Sequence, residues 1–300
     1  MGGGYRQAGA SASSGGRETW VPTRRSARQT CYASSTMCTL ILASQLYADA
    51  PLLVGGNRDE QVARPAGPPV LWSDREIPVL APVDRQAGGT WLGLNAAGVF
   101  AGLTNRFGRP PDPGRASRGE IVLEALREAD VPSAIERVRA LGAMNYNPFH
   151  LVVANRDEAA ILWTDGWTMH PVSVQPGWVV LSERSFGAAP TAREEWLQRQ
   201  LPQLSLQDVP GGSEWRTLLS HHAVPTMEGT CVHHDAANYG TRSAMWLRLG
   251  RQSADVDFQY MVGPPCTSEV LDMRAPAEAL LRDWAPGGRS ARMSADTSQK

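Results

Sequence analysis

Short apolar runs broken by Gly, Pro, Asn and Asp recur along this chain, and their order restricts what it can fold into. Strand-like segments come first, at residues 38–46, 51–56, 90–95 and 99–105. Ser117-Arg118-Gly119-Glu120 then reads as a capping box opening a helix to about Glu128, and Pro132 suits the first turn of a second helix that Gly142 ends. Strands follow at 150–154, 159–163, 169–174 and 178–182, then helices at 191–200 and 213–221. The last clear strands are 241–249 and 256–262, with a short helix at 276–284. Blocks of strands and blocks of helices predict α+β layers, not a doubly wound parallel sheet.

Several function classes fall away on composition. Lys300 is the only lysine, so pyridoxal phosphate chemistry and a GxxxxGK[ST] nucleotide loop are excluded. A formal net charge of −1 sets up no field directing the chain to nucleic acid. No apolar run approaches the roughly 18 residues of a transmembrane helix, so no integral membrane segment is expected. Cys31, Cys38, Cys231 and Cys266 form no CxxC pair and no disulfide framework, which points to a reducing, cytoplasmic setting.

The ends differ from the rest. Residues 1–36 hold five arginines against one acidic residue, Glu18, and are rich in Gly, Ser and Ala. They are expected to be a disordered extension, absent from the mature chain if Met37 is the true start. Organelle targeting by this Arg- and Ser-rich leader is the less favoured reading. One folded domain is expected over 37–285, followed by a flexible tail at 286–300.

Two sequence features carry chemistry. Cys38 follows Met37 directly, so removal of residue 37 would put a thiol and a free α-amine on one residue, a nucleophile with its own base. The tetrapeptide Asn-Arg-Asp-Glu occurs at 57–60 and again at 155–158, each time after an apolar strand. The second copy lies between two strand-like runs and reads as a tight hairpin turn. The first follows Gly55-Gly56, which would let another backbone approach closely, and leads into Arg64-Pro65.

Met37-Cys38-Thr39, Gly56-Asn57-Arg58-Asp59-Glu60 with Arg64-Pro65, Gly88-Gly89-Thr90-Trp91-Leu92-Gly93, Leu103-Thr104-Asn105 and Tyr239-Gly240-Thr241-Arg242 stand in the order of the NRDE family. Arg118-Gly119-Glu120 falls where that family has a similar Arg-Gly-Glu. The chain resembles this family, which includes the transport and Golgi organisation proteins of animals. The resemblance implies a four-layer αββα sandwich of the N-terminal-nucleophile hydrolase type. Its wider superfamily contains amide-cleaving acylases with an N-terminal cysteine. Some animal members are linked to haem or to lipid and acyl-CoA handling.

On that basis two readings stand side by side. One is an N-terminal-cysteine amidohydrolase or acyltransferase acting on a small amide or acylated metabolite. The other is a non-catalytic carrier or trafficking factor for haem, lipid or acyl-CoA on the same fold. For the first, the catalytic candidates are Cys38, Arg58, Asp59 and Asn105. The α-amine of Cys38 would take the thiol proton, and Arg58 would favour the thiolate. Asp59 would hold the ammonium or orient Arg58, or the Arg58–Asp59 pair would be a structural ion pair between sheets. The side chain of Asn105 and backbone N–H groups near Gly88-Gly89 are the oxyanion candidates. Asn57, Glu60, Trp91 and Arg242 are the substrate-binding candidates, with Arg242 suited to a carboxylate. Relatives often carry Leu-Ser-Asn where this chain has Leu181-Ser182-Glu183, which replaces a donor by an acceptor. No cofactor is expected. Cys231-Val232-His233-His234-Asp235 has no second ligand pair nearby in the chain, so no metal is expected either.

Overall fold

The computed structural model describes residues 38–282; the leader and the tail expected from sequence lie outside them. In chain order the strands and helices are β1 (Thr39–Ser44), β2 (Leu52–Gln61), β3 (Ala66–Trp72), β4 (Val79–Asp84), β5 (Leu92–Asn95), β6 (Phe100–Asn105), α1 (Gly119–Ala125) and α2 (Val131–Ala140). After these come β7 (Phe149–Ala154), β8 (Ala159–Thr164), β9 (Met169–Ser173), β10 (Gly177–Leu181), α3 (Ala192–Gln200) and α4 (Gly212–Leu219). The chain then runs through β11 (His233–His234), β12 (Tyr239–Leu249), β13 (Val256–Val262), β14 (Val270–Asp272) and α5 (Arg274–Arg282).

The strands form two antiparallel seven-stranded sheets. One has the order β10-β1-β2-β12-β13-β14, with β11 paired to β12, and the other runs β3-β4-β5-β6-β7-β8-β9. Because side chains alternate along a strand, each sheet presents two faces, and both are apolar here. Leu40, Leu42 and Val54 of the first sheet meet Leu80, Leu92, Phe100 and Val152 of the second in an inter-sheet core. Ile41, Ala43 and Leu53 point the other way, against Leu197 of α3 and Trp215 and Leu218 of α4. On the far side of the second sheet, Ala101, Leu103 and Val153 pack on Ile121 and Val122 of α1 and Ala134 and Val138 of α2. The result is the four-layer αββα sandwich.

Helix ends follow their sequence signals in two cases and depart from them in a third. Asp130 caps α2 by accepting from Ser133 N–H, with proline in the first turn. Thr191 and Glu194 form a reciprocal capping box on α3. The box expected at Ser117 does not form: Arg118 is the N-cap residue without a side-chain bond, and Glu120 instead accepts from the Tyr146 hydroxyl. Four strands escaped the sequence pattern: the short β11 and β14, and two that prolines interrupt. Pro68 and Pro69 sit in β3, an edge strand with an irregularity between Gly67 and Val70, and Pro82 sits in β4.

Strand β2 is longer than the sequence suggested. Its first Asn-Arg-Asp-Glu copy lies inside the strand, paired on one edge with β12 from Glu60↔Gly240 to Asn57↔Ala244. The paired glycines before it are needed for side-chain crowding on both faces. A Cβ on Gly55 would stand 2.2 Å from the Trp215 ring, and one on Gly56 would stand 2.8 Å from Leu40 and 3.0 Å from the Thr39 carbonyl oxygen.

Candidate active site

Alternation along β2 splits the first motif between two environments. Arg58 and Glu60 face a cavity of about 630 Å³, while Asn57 and Asp59 face the α3–α4 layer. Cys38, one residue before β1, faces the same cavity as Arg58. Trp91, Asn105, Arg64, Asp84, Arg115 and Arg118 also line it.

On the cavity side Arg58 and Arg64 share two carboxylates. Arg58 lies 3.6 Å from Glu60 and 3.6 Å from Asp84, and Arg64 lies 3.7 Å from Glu60 and 2.6 Å from Asp84. Two positive and two negative charges balance within this square. Nη1 of Arg58 is left over: it is buried without a hydrogen-bond partner among the described residues. Asp84 is held below the usual carboxylate range, against the effect of burial, by its bonds to Arg64 and to the N–H groups of Gln86 and Ala87. Arg118 differs from the other two arginines. Its Nη1 donates to the Pro148 carbonyl at 3.1 Å, and it forms no ion pair among the described residues. Burial pushes its guanidinium down to about 10, so it stays charged at neutral pH, and the Cys38 position and Glu60 act in its favour.

Arg118 reaches the cavity because α1 begins beside the Gly88-Gly89-Thr90 segment. A Cβ on Gly89 would lie 2.6 Å from the Gly119 carbonyl carbon, and Thr90 N–H donates to the Gly119 carbonyl at 3.3 Å. Two glycines therefore let backbone meet backbone at the cavity wall.

Cys38 is 7% exposed, and its Sγ lies 4.0 Å from the Asp59 carbonyl oxygen. With residue 37 attached, its thiol is pushed up to about 12, first by burial and then by the charge of Asp59, which together outweigh the lowering by Arg58. In that state the thiol is neutral at physiological pH and a poor nucleophile.

The back of β2 is a second buried polar network. Asp59 is 0% exposed and accepts from Arg193 Nη1 at 3.2 Å and from the Thr241 hydroxyl at 2.6 Å. Arg193 Nη1 also donates to the Thr39 hydroxyl at 2.8 Å. Burial raises Asp59 to about 6 despite Arg193 and Thr241, and Glu183 adds to the rise. Asn57 Nδ2 donates to the Leu219 and Thr230 carbonyls at 2.8 and 2.7 Å, tying β2 to the end of α4 and the loop after it.

Of the sequence candidates, the fold brings Cys38, Arg58, Glu60, Trp91 and Asn105 to one cavity. It sets Asn57 and Asp59 behind the sheet, so the carboxylate of Asp59 pairs with Arg193 where Arg58 was the expected partner. Arg242 is not among the cavity-lining residues; it lies at the irregularity of β12 between Thr241 and Ser243. The N–H of Gly88 donates to the Asp84 carbonyl at 2.8 Å, which removes it as an oxyanion donor. Glu183, the departure from Leu-Ser-Asn, is buried beside Arg193 and Asp59. Asp84, Arg115 and Arg118 were missed as site residues. The Arg-Gly-Glu at 118–120 was the available signal for Arg118, whereas Asp84 and Arg115 sit in segments with no motif.

Away from the cavity, the sequence expectation that Cys231 and His233 lack further donors does not hold. His222 and Cys266 join them, with all four ligand atoms within 4.8 Å of one another. No helix among the described residues is long and apolar enough to cross a membrane.

A family model described as Transport and Golgi organisation 2 matches residues 37–209. The chain is 32% identical over 139 residues to the Transport and Golgi organization protein 2 homolog of Bos taurus, covering 44% of this chain and 50% of that protein. It is 33% identical over 112 residues to the Homo sapiens homolog, covering 36% and 40% respectively. The chain thus spans about half the length, or less, of these curated relatives. Among solved structures, the Caenorhabditis elegans ortholog of N-acylethanolamine-hydrolyzing acid amidase superposes with a TM-score of 0.50 at 12% identity, covering 70% of this chain and 92% of that one. A mutant of conjugated bile acid hydrolase from Clostridium perfringens gives a TM-score of 0.44 at 11% identity, covering 79% and 93%.

Proposed function

The chain belongs to the Transport and Golgi organisation 2 family, and from that premise we propose that it is an N-terminal-cysteine amidohydrolase or acyltransferase acting on a small amide or acylated metabolite, with Cys38 as nucleophile. The observation that carries this reading is the placement of Cys38 on the cavity with Arg58 and Arg118, in the sandwich also seen in the nematode amidase ortholog. A volume of about 630 Å³ suits a small molecule.

Removal of residue 37 is the activating event in this scheme. An α-amine titrating near 8 accepts the thiol proton directly or through one water, and its ammonium form favours the thiolate. Sulfur attacks the carbonyl carbon, and the carbonyl π electrons move to oxygen. Arg58 Nη1, a buried donor with no partner among the described residues, and Asn105 are the candidates to receive that negative charge. Collapse expels the amine, which takes its proton from the Cys38 ammonium and leaves a thioester. Water, or an acceptor nucleophile in the acyltransferase case, then loses its proton to the amine and releases the acid or ester. Arg118, a cation without an ion pair among the described residues, gives the cavity its preference for an acyl compound with an anionic end.

The carrier reading, with haem, lipid or acyl-CoA as cargo, is favoured by one observation: the thiol of the unprocessed chain is buried and protonated. One experiment separates the two. Protein expressed from Met37 is weighed intact, then assayed as parent and as Cys38→Ala on a panel of amides, thioesters and acyl conjugates. The expected result is a chain beginning at Cys38, with turnover falling on the order of 10⁴-fold or more in the variant while ligand binding persists. Equal turnover by parent and variant would falsify the enzyme reading and leave the carrier.

A further inference from the structure

We propose that His222, Cys231, His233 and Cys266 form a structural zinc site that fastens two loops behind β2. Cys231 and His233 are two residues apart in sequence, His222 lies before them and Cys266 lies 33 residues after His233. His222 follows α4, Cys231 precedes β11, His233 begins β11, and Cys266 lies in the turn between β13 and β14. The fold brings His222 and Cys266 to the Cys231–His233 pair.

The spacing of three of the four donors is that of a four-coordinate shell. Cys231 Sγ lies 3.7 Å from Cys266 Sγ, and His233 Nε2 lies 3.4 Å from the first sulfur and 3.3 Å from the second. A tetrahedron with metal–sulfur bonds of about 2.3 Å and metal–nitrogen bonds of about 2.0–2.1 Å has sulfur–sulfur edges of about 3.8 Å and sulfur–nitrogen edges of about 3.5 Å. Three edges of the cluster are within a few tenths of an ångström of those values. The fourth donor, a ring nitrogen of His222, closes the set within 4.8 Å, and its ring meets that of His233 edge-on at 5.1 Å between centroids. Two thiolates with two imidazoles in tetrahedral array select Zn²⁺ over the harder cations, and four protein ligands leave no open position for catalysis.

The surroundings hold these donors in place without the metal having to gather them. Cys231 N–H donates to the His221 carbonyl at 3.0 Å, and a Cβ on Gly229 would clash at 2.7 Å with that same carbonyl oxygen, so the 221–231 loop closes tightly on itself. Arg216 grips the Cys266 turn through the Pro265 and Ser268 carbonyls at 2.8 and 2.9 Å. From the cluster the loop leads straight to the back of the motif strand. Thr230 accepts from Asn57, and Val232 N–H donates at 2.9 Å to the Thr241 hydroxyl that serves Asp59. Zinc would therefore brace the buried network behind β2. This inference does not depend on the acyl-transfer reading, since its readout is metal content.

The test uses the full chain purified under reducing conditions without chelator. Elemental analysis is expected to give about one zinc per chain. Replacement of zinc by cobalt(II) is expected to give intense ligand-field bands with thiolate-to-cobalt charge transfer, the signature of a tetrahedral site with sulfur ligands. His222→Ala, at an exposed position, and Cys266→Ala are each expected to weaken zinc binding at least ~100-fold, with circular dichroism reporting whether the variants stay folded. Should a variant fail to fold, the zinc content and cobalt spectrum of the parent still decide. The proposal is overturned by parent protein that carries no zinc and gives no cobalt spectrum when offered each metal alone. It is equally overturned by a Cys231–Cys266 disulfide found by mass spectrometry under these reducing conditions.

Discussion

The same four residues, Asn-Arg-Asp-Glu, have opposite fates in this molecule. In the first copy every side chain is enclosed: Asn57 binds two carbonyls, Arg58 and Glu60 face the cavity, and Asp59 pairs with Arg193. In the second copy the chain turns. Asn155 folds its side-chain oxygen onto the N–H groups of Asp157 and Glu158, Arg156 reaches the Gly250 and Gln252 carbonyls, and Asp157 and Glu158 are exposed. The difference lies in what surrounds each copy. The first has a neighbouring strand on both sides, β1 as far as Asn57 and β12 throughout, which hold it extended and divide its side chains between two buried faces. The second has Ala154 paired with Ala159 on either side of it, so its four residues can only be the loop of a hairpin. A short motif acquires chemistry from the layer in which it is placed.

Paired substitutions break or sharpen this contrast. The largest effect is expected at the third position. Asp59→Ala leaves Arg193, 2% exposed, without its carboxylate, and should cost about 3–5 kcal/mol in urea unfolding. Asp157→Ala should stay within about 0.5 kcal/mol. Equal losses at the two sites would show that the buried pair is not what holds β2 in place.

A pH scan comes next. The carboxyl of Asp59 is raised in the fold to about 6 from an ordinary value of 3.8, with Arg193, Thr241 and Glu183 facing it. Between those values the native state keeps a proton that the unfolded chain has released, so stability should fall as pH rises through that window, by up to about 3 kcal/mol. Glu183 is also raised by burial and adds a slope of the same sign. Asp59→Asn should remove most of the slope, as followed by denaturant midpoints from acid to neutral pH.

At the second position the contrast moves from stability to turnover. On the proposed amidohydrolase reading, Arg58→Met should lower turnover about 100-fold by removing the Nη1 donor, while Arg156→Met leaves turnover unchanged. The smallest difference is expected at the first position. Asn57→Ala leaves two buried carbonyls without that donor and should cost about 2–3 kcal/mol, against about 1 kcal/mol for Asn155→Ala, whose turn amides can bind water; thermal unfolding measures both.

What could be read from the sequence follows the same division between local and distant causes. The hairpin at 155–158, the strands expected at 99–105 and 256–262 and the helix expected at 191–200 are local patterns, and each appears within a residue of where the sequence places it. Cys38 and Arg58 share the cavity because β1 and β2 are adjacent in the chain and pair directly, so the motif reading reached them. Distant causes were not legible. Nothing local to Asp59 indicates that its partner is Arg193, 134 residues on. A strand's two-residue period says that Arg58 and Asp59 face opposite ways, but which face meets the cavity depends on the other sheet. The donors His222 and Cys266 were missed for the same reason, since only the packing of α4 and the β13–β14 turn brings them to Cys231.

The meeting of Gly89 and Gly119 has one more consequence. Where two main chains touch with nothing between them, the width of the chamber is gauged by peptide bonds alone, and no rotamer can relax it. An alanine at either position would act as a shim, lifting the start of α1 and carrying Arg118 outward with it. Such a protein would keep its sandwich and lose the gauge that sizes what the chamber admits.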